Sequence, residues 1–278
     1  MLEDIYMQGQ LNEMDDWNML RHFSEYEETG EQLFFTYQDQ NAERLKQLRE
    51  TFHLEEAAGE GAELKRITRL RNWVYRCLKT DKGNFRTDLR DRNHPWNTFT
   101  ILDEMQKEPF LADCGTSALV MAEVMLAMGW KAKWVQCLPL DLRFGESHCI
   151  THVWSRELKK WIIVDAAQDL FYFNHHAVPF GLPDLREAIL NKDRVLIYTN
   201  TQKMAGRTWL KQYWVKNIFR FHCFRDSCFS PFDSAEIHHV FLDPKGYVIT
   251  DKTVNHHGKI QTYTHTRNAC VFWEGVDV

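Results

Sequence analysis

Three residues in the middle of the chain have the side chains and the order of a thiol-based catalytic triad: Cys114, His152 and Asp165. His152 follows Cys114 by 38 positions (152 minus 114) and precedes Asp165 by 13 (165 minus 152). A cysteine nucleophile needs a base that takes or holds its proton, and the base needs a group that orients it. The chemistry that these three side chains could perform together is attack of a thiolate on an amide carbonyl carbon, which forms a thioester.

Cys114 opens an almost wholly apolar segment that the sequence predicts to be a central helix. Between Cys114 and Gly129 only Glu123 carries a charge, and a helix that is apolar on all sides is buried. A polar residue within 113–117 can cap the first turn, and Gly129 suits a left-handed C-terminal stop. The helix dipole favours a thiolate at the first turn. The alternative is a cysteine that only packs in the core, like a small hydrophobic residue.

The segments after this helix have the alternating pattern of strands. We expect a strand over 131–138, a second over 149–154 and a third over 161–165, with the last two joined as an antiparallel hairpin. Neighbouring strands lie about 4.8 Å apart, so Asp165 would reach the ring of His152 and fix its tautomer. His148 lies four residues before His152, about 13 Å away along a strand, and we therefore do not expect the two to share a zinc ion.

The rest of the chain predicts a helical N-terminal extension and further antiparallel strands. Residues 1–60 have helical spacings of apolar residues, including those at 17–23, 33–37 and 45–52, and residues 61–278 form the predicted catalytic domain. Helices are expected over 64–79, 98–107 and 183–190, and strands over 194–198, 214–224, 240–242 and 247–249. Residues 81–97 are expected to form a long loop.

Residues 67–166 resemble the transglutaminase-like domain, which has a papain-type cysteine fold. The resemblance is carried by Leu70-Arg71-Asn72-Trp73-Val74, by Cys114 and the apolar segment behind it, by His152-Val153-Trp154, and by Trp161-Ile162-Ile163-Val164-Asp165. It implies an α+β fold, in which a central helix carrying the cysteine packs on an antiparallel sheet. It also implies that Cys114, His152 and Asp165 are the catalytic residues. The chain departs from the family pattern at Ala112 and at Ala166-Ala167.

An oxyanion formed at Cys114 would need hydrogen-bond donors. The backbone N–H of Cys114 can serve as one donor, and one such donor contributes about 2.7–4 kcal/mol to transition-state stabilisation. In transglutaminases an indole N–H upstream of the cysteine is the second donor, and the resemblance makes Trp96 the oxyanion candidate ahead of Trp73. The alternative is that Trp96 anchors a loop.

Composition limits the class of protein. The chain has 278 residues, 44% of them apolar, and a formal net charge of -5, which gives no reason to expect nucleic-acid binding. Its seven cysteines do not have the pattern of a disulfide framework, which favours a reducing compartment. No apolar run has membrane-spanning length, and we expect a cytoplasmic location with no membrane partner. We expect no metal and no organic cofactor.

These observations favour a cysteine hydrolase that acts on a peptide or protein, or on a small amide. Two alternatives stay open. The thioester could pass to an amine, as in a transglutaminase or an amide synthase, or the fold could be a non-catalytic module that binds a peptide or protein.

Overall fold

The structure is a computed structural model that describes residues 13–29, 32–79, 96–140, 147–200, 213–248 and 260–274. Helices dominate the first half of the chain. They are α1 (Glu13–His22), α2 (Glu43–Thr51), α3 (Leu54–Ala58), α4 (Glu63–Leu78), α5 (Thr98–Lys107) and α6 (Cys114–Ala127). Except for residues 33–37, the helical spacings of the sequence correspond to these elements. Most of the predicted loop over 81–97 lies outside the described residues.

Residues 33–37 are extended, although their apolar spacing predicted a helix. Strand β1 (Thr36–Tyr37) lies in this segment and pairs in parallel with β8 (Asp226–Ser227). The backbone N–H of Thr36 donates to Arg225 O at 3.1 Å. The paired segment, in which Asp226 lies 190 residues after Thr36, is too distant in the sequence for any local pattern to show this pairing.

A six-stranded sheet forms the centre of the molecule, in the order β10-β9-β7-β2-β3-β4. The strands are β2 (Ala132–Leu138), β3 (His148–Ser155), β4 (Lys160–Val164), β7 (Arg220–Phe224), β9 (Glu236–Leu242) and β10 (Ile260–Thr266). The hairpin of β3 and β4 is antiparallel, as the sequence predicted. Two shorter strands, β5 (Leu170–Phe173) and β6 (Leu196–Thr199), form a separate antiparallel pair.

The second half of the chain differs from its prediction in three places. Residues 213–217 are helical, so the strand expected over 214–224 begins only at Arg220. The last strand, β10, pairs in parallel with β9, whereas antiparallel strands were expected. Residues 247–248, expected to begin a strand, are not in one, and 249–259 lie outside the described residues. Two further helices are α7 (Leu182–Leu190) and α8 (Ala269–Phe272).

Apolar residues pack on both faces of the sheet. One cluster surrounds α6 and includes Cys149 and Val153 of β3, while Ile150 of the same strand belongs to the cluster on the other face. This alternation follows from the opposite directions of successive side chains in a strand. The architecture is therefore the α+β arrangement predicted from the sequence, with α6 packed on the sheet.

Part of the predicted N-terminal extension belongs to the same core as α6. Leu45, Leu48 and Leu54 are fully buried in the cluster that surrounds this helix. Leu20 of α1 is buried in the cluster on the opposite face. The boundary at residue 60 stays a prediction.

Two further features concern the cysteines and the helices. All seven cysteines lie in described parts of the chain and are free thiols. No helix among the described residues combines the length and the apolar character needed to cross a membrane.

Candidate active site

Cys114 occupies the first position of α6, the most deeply buried helix among the described residues. The side chain of Asp113 caps the helix by accepting a hydrogen bond from Thr116 N at 2.7 Å. Residues 115–127 are all buried, whereas Cys114 is half-buried. The cap therefore holds Cys114, the one residue of α6 that is partly accessible, at the positive end of the helix dipole. The Sγ atom of Cys114 lies 3.7 Å from Ser147 O, immediately before β3.

His148 is the histidine that the structure brings to Cys114 and Asp165. Its Nε2 atom lies 2.9 Å from Oδ2 of Asp165, and its side chain also forms a hydrogen bond with Cys114. His148 is 3% exposed and Asp165 is fully buried. Because Asp165 occupies Nε2, the ring nitrogen left for Cys114 is Nδ1. Cys114, His148 and Asp165 thus form one continuous hydrogen-bonded group.

The charges of this group stabilise each other. Burial alone lowers the pKa of His148, but the charge and hydrogen bond of Asp165, together with Cys114, outweigh burial and raise this pKa to about 10. The pKa of the Cys114 thiol is well below its usual range. The largest cause is a hydrogen bond with the Cys149 side chain, and the hydrogen bond and charge of His148 add to it against the opposing effect of burial. The site therefore favours a thiolate beside an imidazolium at neutral pH.

His152, which the sequence selected as the base, lies elsewhere and has a structural contact. Its Nε2 atom accepts a hydrogen bond from Leu182 N at 3.2 Å, at the start of α7, and its ring stacks on Trp161. Burial, followed by the charges of Lys133 and Lys160, holds the pKa of His152 well below its usual value. A neutral ring suits this acceptor role. The structure therefore places His148, and not His152, beside Cys114 and Asp165.

A glycine permits the contact that occupies His152. A Cβ atom on Gly181 would lie 2.7 Å from Trp161 O and 3.3 Å from His152 Nε2. The first of these distances is shorter than a real Cβ contact allows, so a side chain at this position would push the start of α7 away. Gly181 thus lets the backbone of α7 approach β3 closely enough to use the ring of His152 as an acceptor.

The strand register explains why the sequence did not distinguish the two histidines. Thr151 pairs with Val164 and His152 with Ile163, which puts Asp165 opposite Ile150. His148 and His152 each lie two residues from Ile150, on the same face, so both are diagonal neighbours of Asp165. The choice depends on side-chain packing at the two ends of β3.

Other side chains that the sequence did not select fix Asp165 and His148. Tyr172 Oη donates to Oδ2 of Asp165 at 2.9 Å, and the backbone N–H of Gln168 donates to Oδ1 at 3.2 Å. The rings of Tyr213 and Trp214 each contact His148 edge to face, with centroids 5.2 Å apart. Trp214 is 2% exposed and packs in the apolar cluster on the face of the sheet opposite α6. These aromatic rings exclude water from the contact between His148 and Asp165.

A buried ion pair supports the turn that carries Asp165. Leu170 exchanges two backbone hydrogen bonds with Asp165, and the preceding residue, Asp169, has a left-handed φ of 53°. Arg71 Nε donates to Oδ1 of Asp169 at 2.8 Å, and Asn72 Nδ2 donates to the other oxygen at 3.2 Å. Arg71 and Asp169 are both fully buried. Helix α4 is thereby tied to the turn between β4 and β5.

Trp96 lies at the start of α5, against the segment that follows β8. Its backbone N–H donates to Oδ2 of Asp233 at 2.8 Å, and its ring packs on Phe232 with centroids 4.4 Å apart. It is 8% exposed. These contacts are those of a loop anchor, and the role of Trp96 as an oxyanion donor stays a prediction.

Possible metal ligands do not cluster in the parts of the chain that the structure describes. Among the residues that the structure describes, no group of three or more His, Cys, Asp or Glu side chains is arranged to hold a metal ion. In particular, His148 and His152 have different partners.

The fold and this geometry define a class of protein: an α+β protein with a cysteine at the head of a buried helix and a histidine–aspartate pair on the adjoining sheet. Residues 51–166 match the family model of the Transglutaminase-like superfamily. The resemblance predicted from the motifs is thus confirmed, and this stretch is a transglutaminase-like core.

Two solved structures are similar to parts of the chain. One is described as a putative cysteine protease from Cytophaga hutchinsonii, with 13% identity, a TM-score of 0.32 and coverage of 56% of this chain. The chain spans about half of that protein, 47% of its length. The other is LapG from Legionella pneumophila, treated with EGTA, with 10% identity, a TM-score of 0.29, and coverage of 64% of this chain and 95% of that one. No curated protein matches the chain significantly.

Proposed function

We propose that this protein is a cysteine-dependent amide hydrolase that acts on a peptide or protein through Cys114, His148 and Asp165. The observation that carries the proposal is the hydrogen-bonded group formed by these three side chains at the N-terminus of α6. The sequence motifs and the match over 51–166 support the use of a cysteine. The proposal replaces His152 by His148 and keeps the other two residues of the predicted triad.

The geometry supports a mechanism that begins from a thiolate–imidazolium pair. The Cys114 thiolate attacks the carbonyl carbon, and the backbone N–H of Cys114, at the first turn of α6, is the proposed donor to the developing negative charge. His148 then gives its proton to the departing amine, which leaves a thioester on Cys114. Water attacks the thioester with His148 as the base. Asp165 keeps the ring oriented and stabilises its charged form in both steps.

Trapping the thioester tests this proposal directly. The protein is incubated with a peptide library, quenched in acid, and digested for mass spectrometry. We expect an acyl group on Cys114, and we expect Cys114→Ala to abolish the adduct. Acyl groups spread over several cysteines, or a stable peptide complex without any adduct, would contradict the proposal, and the second result would favour a non-catalytic binding module.

The two histidines supply a matched pair of variants. His148→Asn removes the proposed base, and acylation of Cys114 should fall by about 10²–10⁴-fold. His152→Asn removes a buried ring that contacts α7 and should retain acylation once folding is checked by circular dichroism. The reverse order of effects would restore His152 as the base.

The acceptor is tested separately from the nucleophile. Turnover in the presence and absence of a primary amine, with both products measured, distinguishes release to water from transfer to the amine. We expect free carboxylate to be the main product. A product that carries the amine as the main species would favour a transglutaminase or an amide synthase.

A further inference from the structure

Helix α6 and strand β3 run side by side with matching spacings. Thr151 Oγ1 donates to Ala118 O at 2.9 Å, which fixes the two elements at that point. Cys114 precedes Ala118 by four helix residues, which is a rise of about 6 Å along the helix axis. Cys149 precedes Thr151 by two strand residues, which is a rise of about 6.7 Å along the strand. Its side chain therefore points to the same face of the sheet as that of Thr151. The two cysteines therefore meet at the next level of the interface.

The contact between the two cysteines is direct. The Cys149 side chain and its backbone N–H both hydrogen-bond with the sulfur of Cys114. Both residues pack in the apolar cluster around α6. Cys137, on the neighbouring strand, pairs with His148 and belongs to the cluster on the opposite face of the sheet. Cys149 is thus the cysteine placed to react with Cys114.

The two thiols have different environments. Cys114 is half-buried, whereas Cys149 is 6% exposed. The hydrogen bonds and the charge of His148 stabilise the thiolate of Cys114. A low-pKa thiolate beside a second, buried thiol is the arrangement in which oxidants attack the first sulfur and the second sulfur resolves the product.

We propose that Cys114 and Cys149 form a hydroperoxide-reactive site, in which oxidation of Cys114 is followed by a reversible disulfide with Cys149. The site rests on the same reactive thiolate as the proposed hydrolase, but it does not require amide hydrolysis. Closure of the disulfide removes the nucleophile, and a dithiol restores it.

The reaction balances in two steps. The Cys114 thiolate attacks one peroxide oxygen, the O–O bond breaks, and hydroxide leaves with a proton from the imidazolium of His148; Cys114 becomes a sulfenic acid. The Cys149 sulfur then attacks the Cys114 sulfur, the S–O bond breaks, and the hydroxyl leaves as water with the thiol proton. Two thiols and one hydroperoxide give one disulfide, one water and one water or alcohol. The sulfur atoms must approach from hydrogen-bond contact to about 2.05 Å.

Mass spectrometry of the full chain tests this site. The protein is treated with hydrogen peroxide and digested without reduction. We expect one linked peptide pair that joins Cys114 to Cys149, and full recovery of Cys114 alkylation after dithiothreitol. Cys149→Ala should lose the linked peptide and should accumulate a sulfenic acid trapped by dimedone, followed by sulfinic acid that dithiothreitol does not reduce.

Cys137→Ala is the matched control, because it also removes a buried strand cysteine close to the site. It should form the Cys114–Cys149 pair as the wild-type protein does. The variants are compared at equal extents of Cys114 oxidation, since Cys149 also hydrogen-bonds with the nucleophile.

Three results would overturn the proposal: no linked peptide in the wild-type protein, a link from Cys114 to another cysteine, or full reversibility in Cys149→Ala. The outcome is independent of substrate. A protein that forms the disulfide but acylates no peptide would support this site while rejecting the hydrolase. A protein that is acylated at Cys114 but forms no disulfide would support the hydrolase while rejecting this site.

Discussion

The Nε2 atom of His148 lies 2.9 Å from Oδ2 of Asp165, where both side chains are almost completely removed from solvent. Two more donors, Tyr172 Oη and Gln168 N, also reach this carboxylate. A buried carboxylate with these partners is held in one orientation, and it favours the protonated form of the histidine. This relationship also helps to stabilise the thiolate of Cys114, because His148 hydrogen-bonds with both Asp165 and Cys114.

The pH dependence of Cys114 alkylation should report the ion pair. The pKa of this thiol is lowered by hydrogen bonds from Cys149 and His148 and by the charge of His148. We therefore expect iodoacetamide to react with Cys114 well below pH 9, and His148→Ala to move the profile to higher pH because a stabilising partner of the thiolate is lost. Site-resolved labelling by mass spectrometry separates Cys114 from the exposed Cys270. An unchanged profile in His148→Ala would contradict the predicted coupling.

Asp165→Asn should alter catalysis through His148. The Asp165 charge is the main cause that raises the pKa of His148 to about 10 against burial. Its removal lowers this pKa, so the imidazolium is lost at a lower pH and the alkaline limb of the kcat profile moves down. Activity near neutral pH should fall by about 10²–10⁴-fold. The prediction fails if the alkaline limb stays in place while only folding stability changes.

Tyr172→Phe should weaken the hold on the Asp165 carboxylate, and through it on His148, to a smaller extent than Asp165→Asn. It removes one hydrogen bond to a charged acceptor, a loss of about 1.5–3 kcal/mol, which corresponds to roughly 10–10²-fold if it is expressed in kcat. Tyr198→Phe is a suitable control because its hydroxyl contacts Asn200 at an exposed position. Kinetics and urea unfolding of both variants provide the measurement. Equal effects of the two substitutions would argue against a role for Tyr172 at the site.

The ion pair of Arg71 and Asp169 should be important for stability. Arg71→Met leaves the fully buried Asp169 carboxylate without its charged partner, which costs about 3–5 kcal/mol. The double variant Arg71→Met/Asp169→Asn should recover part of this loss because no unpaired charge remains; asparagine also tolerates the left-handed backbone at this position. Urea unfolding measures the free energies.

The exposed pair of Lys46 and Glu50 provides the control for that measurement. Both side chains are largely exposed, and Lys46→Ala should cost less than about 1 kcal/mol. If the double variant at positions 71 and 169 were as unstable as Arg71→Met alone, the unpaired charge would not be the cause of the loss.

Glu123 should make stability depend on pH. Burial raises the pKa of this carboxyl to about 7, although Thr98 and the backbone of Ser230 donate hydrogen bonds to it. A folded-state pKa above the unfolded value of 4.5 means that the native state holds the proton more tightly. The contribution to stability is therefore complete below pH 4.5 and is lost as the pH rises through about 7.

Glu123→Gln should flatten that part of the stability curve. The amide cannot ionise, so the free energy of unfolding between pH 4.5 and about 7 should change less than in the wild-type protein. Thermal or urea unfolding over this range gives the measurement. A slope that is the same in both proteins would show that other groups dominate the pH dependence.

The helix that carries Cys114 was predictable because its signals are local. A capping residue, an almost wholly apolar segment and a terminal glycine are adjacent in the sequence, and their effect on backbone conformation does not depend on distant contacts. The hairpin of β3 and β4 was predictable for the same reason. The resemblance to the transglutaminase-like family rests on these two units and on Leu70-Arg71-Asn72-Trp73-Val74 of α4. The two units supply a cysteine, a histidine and an aspartate in that order.

Only the tertiary structure decides which histidine lies beside Cys114 and Asp165. The register gives His148 and His152 the same relation to Asp165, and no periodicity distinguishes them. The close approach of α7 at Gly181 makes the ring of His152 an acceptor for Leu182, whereas Tyr213 and Trp214 enclose His148 beside Asp165. These contacts join residues 30–66 positions apart, and their energies depend on packing that arises only when the chain is folded. The sequence by itself determined the elements and the types of side chain at the site, and the packing of α7 and residues 213–217 against the sheet determined which of them meet.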